Sequence, residues 1–253
     1  MNDFFVMIRR SLVGFLRQPA ALIPSFAISV FFLFVYNGGL GSVAKLPGFQ
    51  GSYLGFIIPV SIASAAISGA GLAGQALIRD IDSGYFTKLL LTPTRRLALV
   101  WGPMVAAAVI LVAQVVAIVV IGLLMGLRSA TGVAGLALVI GFAFLWGMAF
   151  AGFTVYFALR TKNAAAAQAA TFIFFPLIFL STTFVPLKYI SAGWLKVAAA
   201  INPTTYVFAA MRSLLNEGWK AGPLLVGLAV TVAFATVTGA LALYQARKAT
   251  QLT

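Results

Sequence analysis

The sequence contains no cysteine and no histidine, and only four of its 253 residues are acidic. Without cysteine there are no disulfides and no thiolate chemistry, and without histidine the commonest metal ligand and the commonest general base are missing as well. The four acids, Asp3, Asp80, Asp82 and Glu217, all fall outside the long apolar runs. A proton-coupled carrier normally keeps an ionisable group at membrane depth, so this placement argues against one. Paired acids on separate segments, a Ser, His and Asp set and a metal-ligand cluster are also missing, which argues against an intramembrane enzyme. No GxxxxGK[ST] phosphate loop occurs, so any ATP used in transport must be bound by another subunit.

What is present is hydrocarbon. Hydrophobic residues make up 62% of the chain and charged ones 8%, against about 25% charged in ordinary soluble domains. This is the composition of an all-α integral membrane protein. Helices satisfy their own backbone in lipid, and roughly 20 apolar residues at about 1.5 Å each cross its core. Apolar runs predict six spans in a single domain, at residues 20–36, 54–77, 98–125, 134–159, 164–184 and 222–244.

The formal net charge is +13, but the basic residues sit at the ends of apolar runs, the usual signature of orientation and headgroup contact, so no nucleic-acid partner is expected. Eleven of the seventeen Lys and Arg residues fall on the side of the two termini. That excess predicts cytoplasmic termini.

Residues 1–18 place Phe4, Phe5, Ile8, Leu12 and Phe15 at helical spacing, with Arg9, Arg10 and Arg17 elsewhere. The pattern predicts an amphipathic interfacial helix; the alternative is an irregular leader. Between spans five and six, residues 185–221 are too apolar for a solvated loop and too interrupted by Pro186 and "NPTTY" for a clean span. They predict short helices dipping into the outer leaflet, with Trp194 on an apolar face. The alternative is a seventh span over residues 197–215. Small residues in "SIASAAISGAGLAGQ", "GLLMG" and "KNAAAAQAA" mark helix-packing faces. The lone amides Gln75, Gln114 and Gln168 either bond neighbouring helices or touch a substrate. Glu217 and Lys220 are spaced for a local ion pair, with Arg212 nearby.

One polar island, "RDIDSGYFTKLLLTPTRR", breaks the apolar pattern between spans two and three and carries half of all the acids. Asp80 and Asp82 hold residues 78–97 in water, since an Asp at mid-bilayer costs about 2.5 to 3.5 kcal/mol. Ile81, Tyr85, Phe86, Leu89 and Leu90 nevertheless give a short helix an apolar face ending before Pro93. Such a helix is read either as a docking element for a partner or as a basic loop touching anionic headgroups.

The island's "SGYFTKLLLTPTRR" resembles the segment after the second span of ABC-2 type transporter permeases, with its Gly, Leu pair, Thr-Pro and basic residues in that order. "FFPLIFLSTTFVPLKYISAGWLKVAAAINPTTYVFAAMR" resembles that family's other recognisable region. Among its members the chain is most similar in size and outer segment to the daunorubicin-resistance-like drug exporters. The resemblance implies a membrane subunit that pairs with a second permease copy or paralogue and with two ATP-binding subunits, which would carry the ATP and Mg. It implies no cofactor in this chain.

The coupling helix would be the island, with Asp80, Asp82, Tyr85, Phe86, Lys88, Leu89, Arg95 and Arg96 meeting the ATPase and Phe5, Arg9 and Arg10 of the interfacial helix beside it. Phe26, Phe31, Phe34, Phe172, Phe175 and Phe179 are candidates for a hydrophobic cargo path, and Pro186, Trp194, Asn202, Pro203 and Tyr206 for an outer gate. A hydrophobic or amphipathic drug, antibiotic or lipid is the expected cargo. A lipid-linked glycan is the competing cargo, and an ATP-independent channel or carrier the competing mechanism.

Overall fold

A computed structural model describes residues 2–45, 51–91, 96–184, 186–187 and 190–251. Among these residues every regular element is a helix. The chain opens with α1 (Asn2–Leu16) and α2 (Pro19–Leu40), where Pro19 supplies the pre-set φ suited to a first turn. Then come α3 (Tyr53–Asp82), the short α4 (Tyr85–Leu90), α5 (Arg96–Leu124) and α6 (Gly132–Thr161). The Ser52 hydroxyl caps α3 by accepting from the Gly55 N–H at 3.1 Å. A broken helix follows as α7 (Ala164–Ala169), a 3-10 turn over Ala170–Ile173, and α8 (Phe174–Phe179). The remaining elements are α9 (Gly193–Ile201), α10 (Pro203–Arg212), a π turn over Ser213–Glu217, and α11 (Ala221–Gln251).

Among the described residues five helical stretches are long and apolar enough to cross a membrane: Pro19–Leu40, Tyr53–Asp82, Leu97–Leu124, Gly132–Thr161 and Ala221–Lys248. The expected span at residues 164–184 takes another form. Its helical part, Ala164–Phe179, covers only sixteen residues, roughly 24 Å at the helical rise. Pro176 explains the interruption, because it has no N–H to donate and its ring crowds the preceding turn, where the tighter 3-10 geometry sits. The broken helix runs antiparallel to α3: Ala167 packs on Ile78, while Phe175 and Ile178 lie beside Val60 and Ser64. The alternative of a further span over residues 197–215 is not found. Asn202, with extended backbone, separates nine-residue α9 from ten-residue α10.

Helix α3 is the axis of the bundle, buried along nearly all of Tyr53–Ile78 by α2, α5, α6 and α7. In lipid, apolar area alone does not drive helices together, so close backbone approach and interhelical hydrogen bonds must do it. The small residues of α3 provide both. A Cβ at Gly71 would lie 2.1 Å from Gln168 Oε1, and one at Gly74 would lie 3.0 Å from the Thr154 carbonyl oxygen. The Thr154 hydroxyl donates to the Ala70 carbonyl at 2.7 Å, and Gln75 Nε2 donates to Gln168 Oε1 at 2.6 Å. Gln114 Nε2 donates to the Ser25 hydroxyl at 3.3 Å across α5 and α2. All three lone amides therefore join neighbouring helices. An aromatic core at the waist includes Trp146, Phe150 and Phe174, with the two Phe rings stacked 3.9 Å apart.

Close approach also joins α6 to α11, where a Cβ at Gly152 would meet the Thr238 backbone at 3.0 Å, whereas one at Gly141 on the same helix would meet nothing. Gly152→Leu should therefore destabilise by about 1–3 kcal/mol through overpacking, with Gly141→Leu near neutral. Thermal melts of the two purified variants in the same detergent test this, and equal melting temperatures would refute it.

Candidate functional site

The polar island forms a corner. Helix α3 continues through Arg79 and Asp80 to Asp82, then turns at Ser83 and Gly84, whose N–H groups donate to the Arg79 and Ile81 carbonyls at 3.0 Å each. Gly84 has φ +70, a left-handed conformation that a side chain would strain. In α4, Phe86 and Leu89 are buried in a cluster with Met7 and Phe15 of α1, Leu99 of α5 and Ala246 of α11, and Ile81 and Tyr85 pack against it. Ile81, Tyr85, Phe86 and Leu89 of the apolar face read from the sequence thus pack among this chain's own helices, and the Leu90 side chain lies outside the described residues. What points outward is Asp82, Ser83 and Lys88, followed by Leu91, which is 85% exposed. Arg96 opens α5; Arg95 lies outside the described residues.

Asp80 is engaged within the chain. Arg10 of α1 donates to both of its carboxylate oxygens, at 2.8 Å from Nη1 and 2.5 Å from Nη2, and the guanidinium carbon sits 4.1 Å from the Tyr85 ring centroid. The hydrogen bond to Asp80 raises the Arg10 pKa above its ordinary value, against the opposing effect of partial burial. This clasp joins α1, α3 and α4. Nearby, α1 lies against α5 closely enough that a Cβ at Gly102 would be 2.8 Å from Met7 Cβ.

The sequence pattern placed Phe5 on one face with Phe4, Ile8, Leu12 and Phe15. In the structure Phe15 is 1% exposed and Phe5 69%. Helix α1 therefore has two apolar faces: Phe4, Met7, Leu12 and Phe15 face the bundle, while Phe5, Val6, Val13 and Leu16 face away. Arg9 is exposed beside the second face.

The six aromatic path candidates divide. Phe31 and Phe34 on α2, Phe172 in the 3-10 turn, and Phe175 and Phe179 on α8 are all exposed. The rings of the broken helix stack in series, Phe172 on Phe175 at 5.8 Å and Phe175 on Phe179 at 6.4 Å, and Phe179, Phe184 and Tyr36 carry the contact across to α2. Phe26 is separate, in a groove between α2 and α5 with Ile110 and Gln114.

Of the outer residues, Asn202 both caps α10, accepting from the Thr204 N–H at 2.9 Å, and donates to the Leu177 carbonyl in α8 at 2.5 Å. Pro203 occupies the first helical position and the Tyr206 hydroxyl donates to the Ala200 carbonyl at 2.6 Å. Trp194 is 69% exposed on α9, and Pro186 is half-buried.

The central residue here is one that sequence reasoning counted only as an outer charge. Arg212 is buried, donating from Nε to the Phe56 carbonyl at 2.9 Å, from Nη1 to the Thr182 carbonyl at 2.7 Å, and from Nη2 to the Thr183 carbonyl at 3.2 Å. Its guanidinium lies 3.4 Å from the Phe56 ring centroid. Among the described residues no carboxylate pairs with it; Glu217 instead accepts from Lys220 at 2.7 Å, the spaced pair expected. The available signal was an Arg inside the apolar run "FAAMRSLL", since an ionisable group among apolar neighbours needs an internal partner. Asn216 adds a second tie, donating from Nδ2 to the Ser52 carbonyl at 3.0 Å.

These two anchors should differ in weight. The Arg10 and Asp80 side chains are 38% and 17% exposed, so a double-mutant cycle with Arg10→Gln and Asp80→Asn should give a coupling of about 0.2–1 kcal/mol in thermal melts. No measurable coupling would show that the clasp does not form. Arg212→Met should cost about 3–5 kcal/mol, because it strands buried carbonyls. Arg212→Lys should recover less than half, since one ammonium cannot fan across three carbonyls. Full recovery by Lys would show that charge alone suffices.

The ABC-2 type transporter family matches this sequence over residues 2–216, a range that takes in the α3–α4 corner, the broken helix and the Arg212 junction. A protein described as "Putative transport permease ycf38" from Cyanophora paradoxa is 25% identical over 221 residues, covering 86% of this chain and 75% of its own. The daunorubicin resistance ABC transporter permease protein DrrB1 of Streptomyces coeruleorubidus is 24% identical over 239 residues, covering 90% and 82%. A second protein of the ycf38 description, from Porphyra purpurea, is 25% identical over 226 residues, covering 87% and 76%. With most of its length matched and its apolar helices arranged as a multi-pass bundle, this chain belongs to the ABC-2 type transporter family as a membrane subunit for transport.

Proposed function

We propose that this chain is the membrane-spanning half of an ATP-driven exporter in a bacterial or archaeal cytoplasmic membrane, with its termini cytoplasmic, paired with a second permease and two ATP-binding subunits. The observation that carries this reading is the α3–α4 corner. Its outer surface, with Asp82, Lys88 and Leu91, is open, while Phe86 and Leu89 are seated among α1, α5 and α11. Movement imposed on the outer surface is therefore delivered to several helices together, as a rigid-body shift requires. Arg10 and Asp80 tie α1 into the same unit. ATP and Mg belong to the partner subunits.

The cargo is hydrophobic or amphipathic: a drug, an antibiotic or a lipid. The exposed phenyl rows of α2 and α8 support this, since they offer apolar and aromatic surface without a charged group among them. A relative whose name records daunorubicin resistance supports it too.

Reconstitution with the cognate ATP-binding subunit in vesicles tests the reading. ATP-dependent movement of a hydrophobic dye is expected from the pair and none from this chain alone; movement by the chain alone would establish a channel or carrier instead. Asp82→Lys combined with Lys88→Glu should lower ATPase association by roughly tenfold, the scale of one or two charge-assisted contacts, with insertion intact. Unchanged association would remove the corner from the interface. Phe175→Ala with Phe179→Ala should reduce cargo-stimulated hydrolysis without loss of assembly.

A further inference from the structure

At the end of the bundle that holds the α3–α4 corner, α1 and the last turns of α3 enclose an open cavity of about 730 Å³. That is within the roughly 300–1,000 Å³ of small-ligand sites. Its lining includes four arginines, Arg9, Arg10, Arg17 and Arg79, and one acid, Asp80. Arg10 uses that carboxylate fully. The side chains of Arg9, Arg17 and Arg79 make no hydrogen bond or ion pair among the described residues, so three positive charges line one space without an acidic partner. Beside Arg9 and Arg17 the same face of α1 is apolar: Phe5, Val6 and Val13 are 69%, 54% and 39% exposed.

We infer that this cavity binds the headgroup of an anionic phospholipid, the three free guanidinium groups holding the phosphate and the Phe5, Val6 and Val13 wall taking the glycerol and first acyl carbons. Arginine suits the task because its planar fork donates pairwise to phosphate oxygens.

Location selects a lipid over a free anion. The cavity reaches Arg17 and Gln18, immediately before Pro19 begins the first spanning helix, and that boundary lies at headgroup depth. The same junction borders an apolar groove of about 330 Å³ lined by Leu16, Leu22, Ile23 and Phe26, where an acyl chain can lie. A bound phosphate would bridge α1 to α3 next to the Arg10–Asp80 clasp. The position of the corner would then depend on the anionic lipid content of the membrane. The inference concerns binding by this chain alone and stands apart from the cargo and the ATPase.

The test uses the full chain in detergent, with dioleoyl phosphatidylglycerol or dioleoyl phosphatidylcholine added and retained lipid counted by native mass spectrometry. Phosphatidylglycerol should be retained over phosphatidylcholine. The triple change Arg9→Gln, Arg17→Gln, Arg79→Gln should cut retention at least tenfold, given a factor of about five per basic residue near an anionic surface. Arg128→Gln, Lys196→Gln and Lys248→Gln, which remove equal charge elsewhere, should leave retention unchanged. Should the triple variant not elute as a folded peak, each single change must itself lower retention severalfold.

Equal retention by wild type and the cavity variants would overturn the proposal, as would an equal loss in the control triple. Displacement of the lipid by millimolar inorganic phosphate would overturn the choice of a lipid and reassign the site to a free anion.

Discussion

Close backbone approach to α3 holds this bundle together. Lipid tails are as apolar as leucine, so burying more leucine on α3 would not bring its neighbours in. Glycines 71 and 74 bring the α6 and α7 elements to van der Waals distance, and at that distance Thr154, Gln75 and Gln168 can hydrogen-bond across helices. The amides depend on the glycines, since a side chain at position 71 would occupy the space that Gln168 needs. The broken helix formed by α7 and α8 can be short because it lies along an α3 face already shaped for it.

The two ends of α3 solve opposite electrostatic problems. At the α4 end water is near, and Asp80 meets Arg10 as an exposed bidentate pair whose value is orientation of α1 more than stability. At the α10 end Arg212 is buried with no acid beside it among the described residues, and carbonyls of Phe56, Thr182 and Thr183 stand in as its counter-charge. The Thr182 and Thr183 carbonyls are available because the chain leaves helical geometry at residues 181–184, ending the broken helix, while the Phe56 carbonyl belongs to α3 itself. One irregular segment thus terminates the broken helix and supplies two of the carbonyls that dock α10 on α3.

Between these ends, the corner and the aromatic rows fall on different surfaces. The corner is stiff, with its apolar face filled from within, while α2 and α8 present Phe31, Phe34, Phe175 and Phe179 to whatever lies beside them. A subunit built this way can move as a body at one end and change its lateral contacts along the other helices.

By itself, the sequence determined the class of the protein: helices long enough for lipid, basic ends, an amphipathic first helix, a polar island between spans two and three, and a punctuated segment before the last span. All of these are local, set by composition and by periodicity within one helix. The ion pair of Glu217 with Lys220 was legible for the same reason. Tertiary structure alone decided which side of each helix meets protein. The periodicity of α1 could not separate Phe5 from Phe15, because a helix with two apolar faces has no single polar side to mark the outside. Nor could it show that Phe86 and Leu89 are consumed within the chain, that Asp80 faces Arg10 seventy residues away, or that Arg212 is buried. Each of these is a contact between distant segments, and its partner becomes visible only when the helices are packed.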